Sequence, residues 1–87
     1  MIQILELEKG YAPIIVCDQC GLRIEDAELA AAIAPVSEKF QNGNRRVLHV
    51  HKGPCFDAVE KMEGGKCSWE ELSRHMRYLI HNVKLKP

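Results

Sequence analysis

The sequence predicts a small α+β domain in which short antiparallel strands are followed by two helices. Three observations carry this. The first half alternates runs of Ile, Leu and Val with turn residues, and "QNGN" at 41–44 is a hairpin signal. The last third places apolar residues in steps of three and four, the helical period. Two spaced pairs, Cys17-x₂-Cys20 and His51-x₃-Cys55, fall where the chain must turn.

The elements follow in order. Ile2 to Glu8 and Ala12 to Cys17 read as strands separated by Lys9-Gly10. Cys17-Asp-Gln-Cys20-Gly21 reads as a tight turn. Residues 27–36 are open to two readings. "EDAELAAAIAP" has high helix propensity. A hairpin at Asn42-Gly43, however, needs a partner strand within 29–40, which favours strand for part of this region. Arg45 to His51 reads as the returning strand. Pro54 suits a first helical position. "CFDAVEKM" carries Phe56, Val59 and Met62 on one face, and Gly64-Gly65 stops the helix near 63. Ser68-Trp-Glu-Glu71 has capping-box spacing, which starts a second helix over 68–83. Its stripe is Trp69, Leu72, Met76, Leu79, Ile80 and Val83, with Pro87 beyond the end. Residues 12–62, with Phe40, Phe56, Val59 and Met62, are expected to cover part of that stripe and the N-terminal strand, with Ile2, Ile4, Leu5 and Leu7, the rest; the alternative cover is the same helix of a second chain.

At 87 residues the chain is read as one domain, 1–87, with a finger-like part at 12–62 and the amphipathic segment at 68–87. A core this size is thin, and such domains often need a staple. Hydrophobic residues at 46% and charged residues at 28% describe a globular chain. Twelve basic and twelve acidic side chains cancel, which argues against a nucleic-acid or anionic-membrane surface as the main design. "MIQILELEKG" lacks the marks of a signal peptide, and no run approaches the roughly 18 apolar residues of a membrane span. The expected location is the cytoplasm. Thiols stay reduced there, so a Cys pattern points to metal or catalysis rather than disulfides.

A C-x₂-C turn brings two thiolates onto one ion from a single bend, and a structural zinc needs four N or S ligands. Cys17 and Cys20 supply the first pair, with Gly21 permitting the sharp turn. His51, ending a strand, and Cys55, in a first helical turn, supply the second. One Zn²⁺ per chain, structural, is therefore expected at Cys17, Cys20, His51 and Cys55. His49 points to the same strand face as His51 and is the alternative ligand. Its other reading is a neighbour that packs or hydrogen-bonds beside the site. Cys67 reads as a free thiol in a loop, and His75 and His81 as solvated.

Cys17-x₂-Cys20-Gly21, a central hairpin and His51-x₃-Cys55-Phe56 opening a helix resemble the treble-clef class of zinc fingers. The arrangement is similar to half of a LIM-type finger, which has two residues between its His and Cys where this chain has three. It is also similar to small uncharacterised bacterial proteins with "CDxCG" and "HKGxC". The resemblance covers residues 12–60 and implies no activity.

Four ligands make a closed site with no position for water, so no catalysis is expected. Two binding roles remain. One is protein–protein interaction or assembly as monomer or homodimer, with Arg74, Arg77, Tyr78 and His81 on the last helix as the partner surface. The other is nucleic-acid binding or transcription accessory work through Arg45, Arg46, Lys52, Arg74, Arg77, Lys84 and Lys86. A thiol redox role for Cys17 and Cys20 is the third reading. No membrane role is expected.

Overall fold

The computed structural model describes residues 1–36 and 39–85. Lys86, part of the basic set, and Pro87, past the last helix, lie outside the described residues. The architecture is α+β, with two antiparallel sheets of two and three strands and two helices. The first sheet is a hairpin of β1 (Ile2–Leu7) and β2 (Gly10–Ile15), with Ile2 opposite Ile15 and Leu7 opposite Gly10. Glu8-Lys9 make its two-residue turn, one position before the expected Lys9-Gly10.

The ambiguous stretch is mostly strand. Asp26 Oδ1 accepts from the Glu28 amide at 2.9 Å and caps a single 3-10 turn, Ala27–Leu29. The chain then extends into β3 (Ala30–Pro35), the centre of a second sheet ordered β4-β3-β5. β4 is Leu48–His51 and β5 is Cys67–Glu71. Ala30 lies opposite His51 and Ile33 opposite Leu48 on one side of β3; Ala31 lies opposite Glu71 and Pro35 opposite Cys67 on the other. Helix propensity separates ordinary residues by at most about 0.7 kcal/mol. Pairing on both edges satisfies the backbone of β3 completely enough to override it. The alanines also let neighbours approach closely, and Ala30 to Ile33 are all buried. The expected turn forms at 40–44. The Phe40 amide donates to Asn44 O at 2.7 Å, and the Gly43 amide donates to Phe40 O at 2.9 Å. β4 is shorter than the strand expected from Arg45, which makes only an isolated bridge with Lys39.

Helix α1 (Pro54–Met62) has Pro54 in its first turn, as expected. Gly64, at φ +62°, ends it in a Schellman motif, with the Gly65 amide donating to Glu60 O at 2.9 Å and the Gly64 amide to Lys61 O at 3.1 Å. The capping box expected at Ser68–Glu71 does not form. Those residues belong to β5, and α2 runs from Leu72 to Asn82, four residues later than expected. The free edge of β3 gives residues 67–71 a full ladder, which a fraying first helical turn lacks. Ser68 Oγ accepts from the Arg45 guanidinium at 3.0 Å, and Glu71 pairs with Lys52. α2 also closes on a Schellman motif, with Lys84 at φ +55° and the Leu85 amide donating to Ile80 O at 3.1 Å.

The core gathers Cys17, Ile24, Ile33, Val50, Val59 and Leu72 around the alanines of β3. α1 packs against β4, and α2 packs against β3 and β5. Among the described residues the N-terminal strand does not cover the α2 stripe. All six residues of β1 are exposed, and among Leu72, Met76, Leu79, Ile80 and Val83 only Leu72 is buried. Trp69 leaves the stripe altogether: it stands on β5, edge-on to Phe56 at 5.2 Å between ring centroids.

Ile33 is fully buried at the middle of the central strand. Ile33→Ala is expected to lower unfolding free energy by about 3 kcal/mol in denaturant titration. Gly64→Ala forces a Cβ into the left-handed region at the α1 cap, and its expected cost is about 1 kcal/mol.

Candidate metal centre

The site begins where β2 ends. The Cys17 amide donates to Leu22 O at 2.8 Å and the Ile24 amide to Ile15 O at 2.8 Å, which folds residues 15–24 into a second, tighter hairpin. Gly21, at φ +78°, makes its bend, and its amide donates to Cys17 O at 2.9 Å. The Cys20 amide points at Cys17 Sγ, 3.5 Å away. Asp18 fastens this knuckle to β4. Its amide donates to His49 O at 2.8 Å, and its Oδ2 accepts from the His49 amide at 2.7 Å. His51 then ends β4, Gly53 and Pro54 turn the corner, and Cys55 enters the first turn of α1.

These constraints bring together Cys17, Cys20, His51 and Cys55. Three sulfur atoms and one ring nitrogen all lie within 4.8 Å of one another. His51 Nδ1 is 3.5 Å from Cys20 Sγ, and His51 Nε2 is 3.3 Å from Arg23 O. A carbonyl only accepts, so this contact assigns the ring proton to Nε2 and turns the Nδ1 lone pair toward the sulfurs. All four cysteines of the chain are free thiols. Cys17 is wholly buried, whereas Cys20 reaches the surface.

Electrostatics distinguish the thiols. Burial works against the Cys17 thiolate, but the backbone amides of Cys20, His51 and Gln19 are aimed at its sulfur and bring its pKa down to about 6. Cys55 moves the other way, to about 12, first through burial and then through the hydrogen bonds and negative charge of Cys17 and Cys20. Thiolates crowd each other here unless a cation lies among them. The donor set therefore fits a metal ion that prefers S and N ligands.

His49 is not part of the group. Its ring is buried, with Nδ1 2.9 Å from the Met1 amine and its edge toward His75 at 5.6 Å between centroids. Burial, the amine charge and His75 lower its pKa to about 4, against a smaller opposing pull from Asp18. His75 departs from the solvated reading. Its Nδ1 is 3.1 Å from Glu70 Oε1, and its Nε2 is buried without a partner among the described residues. His81 is exposed, as expected. Cys67 opens β5 rather than sitting in a loop, lies half-buried beside the core and has its pKa raised by burial and by Glu60 and Glu63. Several cations of the expected basic set have other work. Lys52 pairs with Glu71, Arg45 holds Ser68, and Arg74 Nε donates to Tyr78 Oη at 3.1 Å.

Sequence reasoning missed two supports of the site, the Arg23 carbonyl and the Asp18 clamp. A backbone carbonyl leaves no signal in a residue pattern. Asp18, the residue between Cys17 and Gln19, reads only as a turn former. No protein family, curated protein or solved structure matches this chain. Among the described residues no helix is long and apolar enough to cross a membrane.

Metal binding must displace the Cys55 proton at neutral pH, since burial and the neighbouring thiols hold its pKa above the ordinary thiol value. Apparent metal affinity is therefore expected to rise at least about tenfold per pH unit between 6.5 and 8 in a chelator competition titration. Cys55→Ala and His51→Ala are expected to lose most of the bound metal, and His49→Ala to keep it, by elemental analysis of the purified chains.

Proposed function

We propose that this chain is a structural-zinc module of the treble-clef kind that serves protein assembly. The carrying observation is the convergence of three cysteine sulfurs and one His51 ring nitrogen within 4.8 Å. A Cys₃His set favours zinc over harder ions such as calcium or magnesium, which take oxygen. The order of parts also supports the class: a knuckle, a hairpin (β3 and β4), then a helix whose first turn gives the last ligand.

The module has no catalytic step. Zinc held by all four donors keeps no position for water, and three thiolates quench its Lewis acidity. Its contribution is cohesion, since binding energy at such a site is folding energy. The assembly role rests on α2, whose apolar side chains Met76, Leu79, Ile80 and Val83 are exposed beside Arg74 and Arg77. A contiguous exposed apolar patch rimmed by charge is a common mark of a partner surface.

Chelation tests the first half of the proposal. Structural zinc sites contribute on the order of 10 kcal/mol of apparent binding energy, more than a domain this small holds in reserve. Removing the metal is expected to abolish the cooperative thermal transition, and restoring zinc to recover it. Melting unchanged after verified zinc removal would defeat the reading.

A further inference from the structure

Among the described residues two surfaces lack a cover, and each has what the other needs. The β1–β2 hairpin is a sheet of two strands only. An isolated two-stranded hairpin is marginal in water unless more strands or a helix pack on it. The register places Ile2, Ile4, Glu6, Tyr11, Pro13 and Ile15 on one face, because residues directly opposite share a side; Ile15, at the knuckle end, is half-buried against the core, and the rest of the face is exposed. Ile4 is 60% exposed and Tyr11 74%. Within the chain, α2 packs against β3 and β5, and all six β1 residues remain exposed.

α2 is a helix with the matching deficit. Its C-terminal half bares Met76, Leu79, Ile80, Val83 and Leu85, with Val83 70% exposed and Leu85 63%. Arg77, Ile80 and Lys84 follow at steps of three and four, so two cations flank an apolar centre. From Leu72 to Leu85 there is no carboxylate. Among the described residues neither Arg77 nor Lys84 makes an ion pair. The hairpin face has the opposite sign, with Glu6 among its apolar residues and Glu8 at the turn beside Lys9.

We propose that two copies of this chain pair reciprocally, the β1–β2 hairpin of each seated on the α2 face of the other. The inference rests on the assembly reading and names its partner. Two-fold symmetry makes the hairpin–helix contact twice, which is how patches of this size reach the roughly 1,200 Å² of a stable interface. Ile4 and Tyr11 meet the Leu79–Val83 stripe, and Glu6 and Glu8 meet Arg77 and Lys84. Helix-to-helix pairing of two copies would instead set Arg77 and Lys84 against their own kind, a like-charge contact that α2 has no acid to relieve.

Charge reversal in trans is the test, read by native mass spectrometry and light scattering on the full zinc-loaded chain. The wild type is expected at twice 9.9 kDa with two zinc ions. Glu6→Lys with Glu8→Lys in one chain, and Arg77→Glu with Lys84→Glu in another, are each expected to weaken dimerisation about tenfold or more. All four positions are exposed, so circular dichroism and zinc content should stay as in the wild type. Mixing the two variants restores complementary charge at both contacts, and a heterodimer within about threefold of wild-type affinity is expected. A zinc-loaded monomer up to about 100 μM overturns the pairing and leaves the zinc reading standing. A metal-free dimer does the reverse. Loss on reversing only α2 indicates helix-to-helix pairing, loss on reversing only the hairpin indicates strand-to-strand pairing, and failure of the mixture to recover excludes the reciprocal contact; each overturns the proposal.

Discussion

Three sulfur atoms and an imidazole nitrogen, drawn from a knuckle, a strand end and a helix start, converge on one point. Such a group is unfavourable as bare thiolates, because each added negative charge makes the next harder to form. Cys55 carries part of that conflict: burial raises its pKa first, and the hydrogen bonds and negative charge of Cys17 and Cys20 add to it. A cation removes the conflict and turns mutual repulsion into a tie between three segments. The rest of the chain is arranged as though that tie can be relied on.

The core shows why. Apart from alanine and cysteine, the buried apolar residues among those described are Val16, Ile24, Ile33, Pro35, Val50, Val59 and Leu72, none of them aromatic. Phe56 and Trp69 pair at the margin, with Trp69 still half exposed. A domain with so little large apolar burial has scant excess over chain entropy, and a metal staple is the ordinary remedy at this size. The alanines of β3 fit the same economy. They add little transfer energy, yet they allow a close approach to the central strand and bring the end of β4 beside the knuckle.

Residue spacing made the site more legible than the fold around it. C-x₂-C and H-x₃-C carry their chemistry in sequence, and the turn residues Gly21, Gly53 and Pro54 mark where the chain bends to bring them together. Strand alternation leaves His49 and His51 on one side and could not rank them. Their separation follows from tertiary contacts instead: Arg23 O orients the ring of His51, and His75 and the Met1 amine occupy the surroundings of His49. The missed strand β5 has a similar cause. Ser68 to Glu71 meets the local rule for a helix start, but the open edge of β3 is a non-local fact with no local signature. The apolar stripe of α2 was legible as a pattern, while its lack of cover was not, because a pattern says that a face wants burial and not where the burial comes from.

The hydrogen bonds about the site also set an order of rigidity. Asp18 joins the knuckle to β4 through its amide, which donates to His49 O at 2.8 Å, and its carboxylate, which accepts from the His49 amide at 2.7 Å, both independent of any metal. His51 is oriented by Arg23 O from within that same knuckle. Cys17, Cys20 and His51 therefore belong to one hydrogen-bonded unit. Cys55 reaches the site through the Lys52–Gly53–Pro54 corner, where Lys52 is held by Leu29 O, Glu28 O and Glu71. Three donors are preorganised by the backbone and the fourth by the seating of α1. Metal affinity at this centre is thus coupled to the packing of α1 against β4, and anything that loosens that helix reaches the metal through Cys55 first.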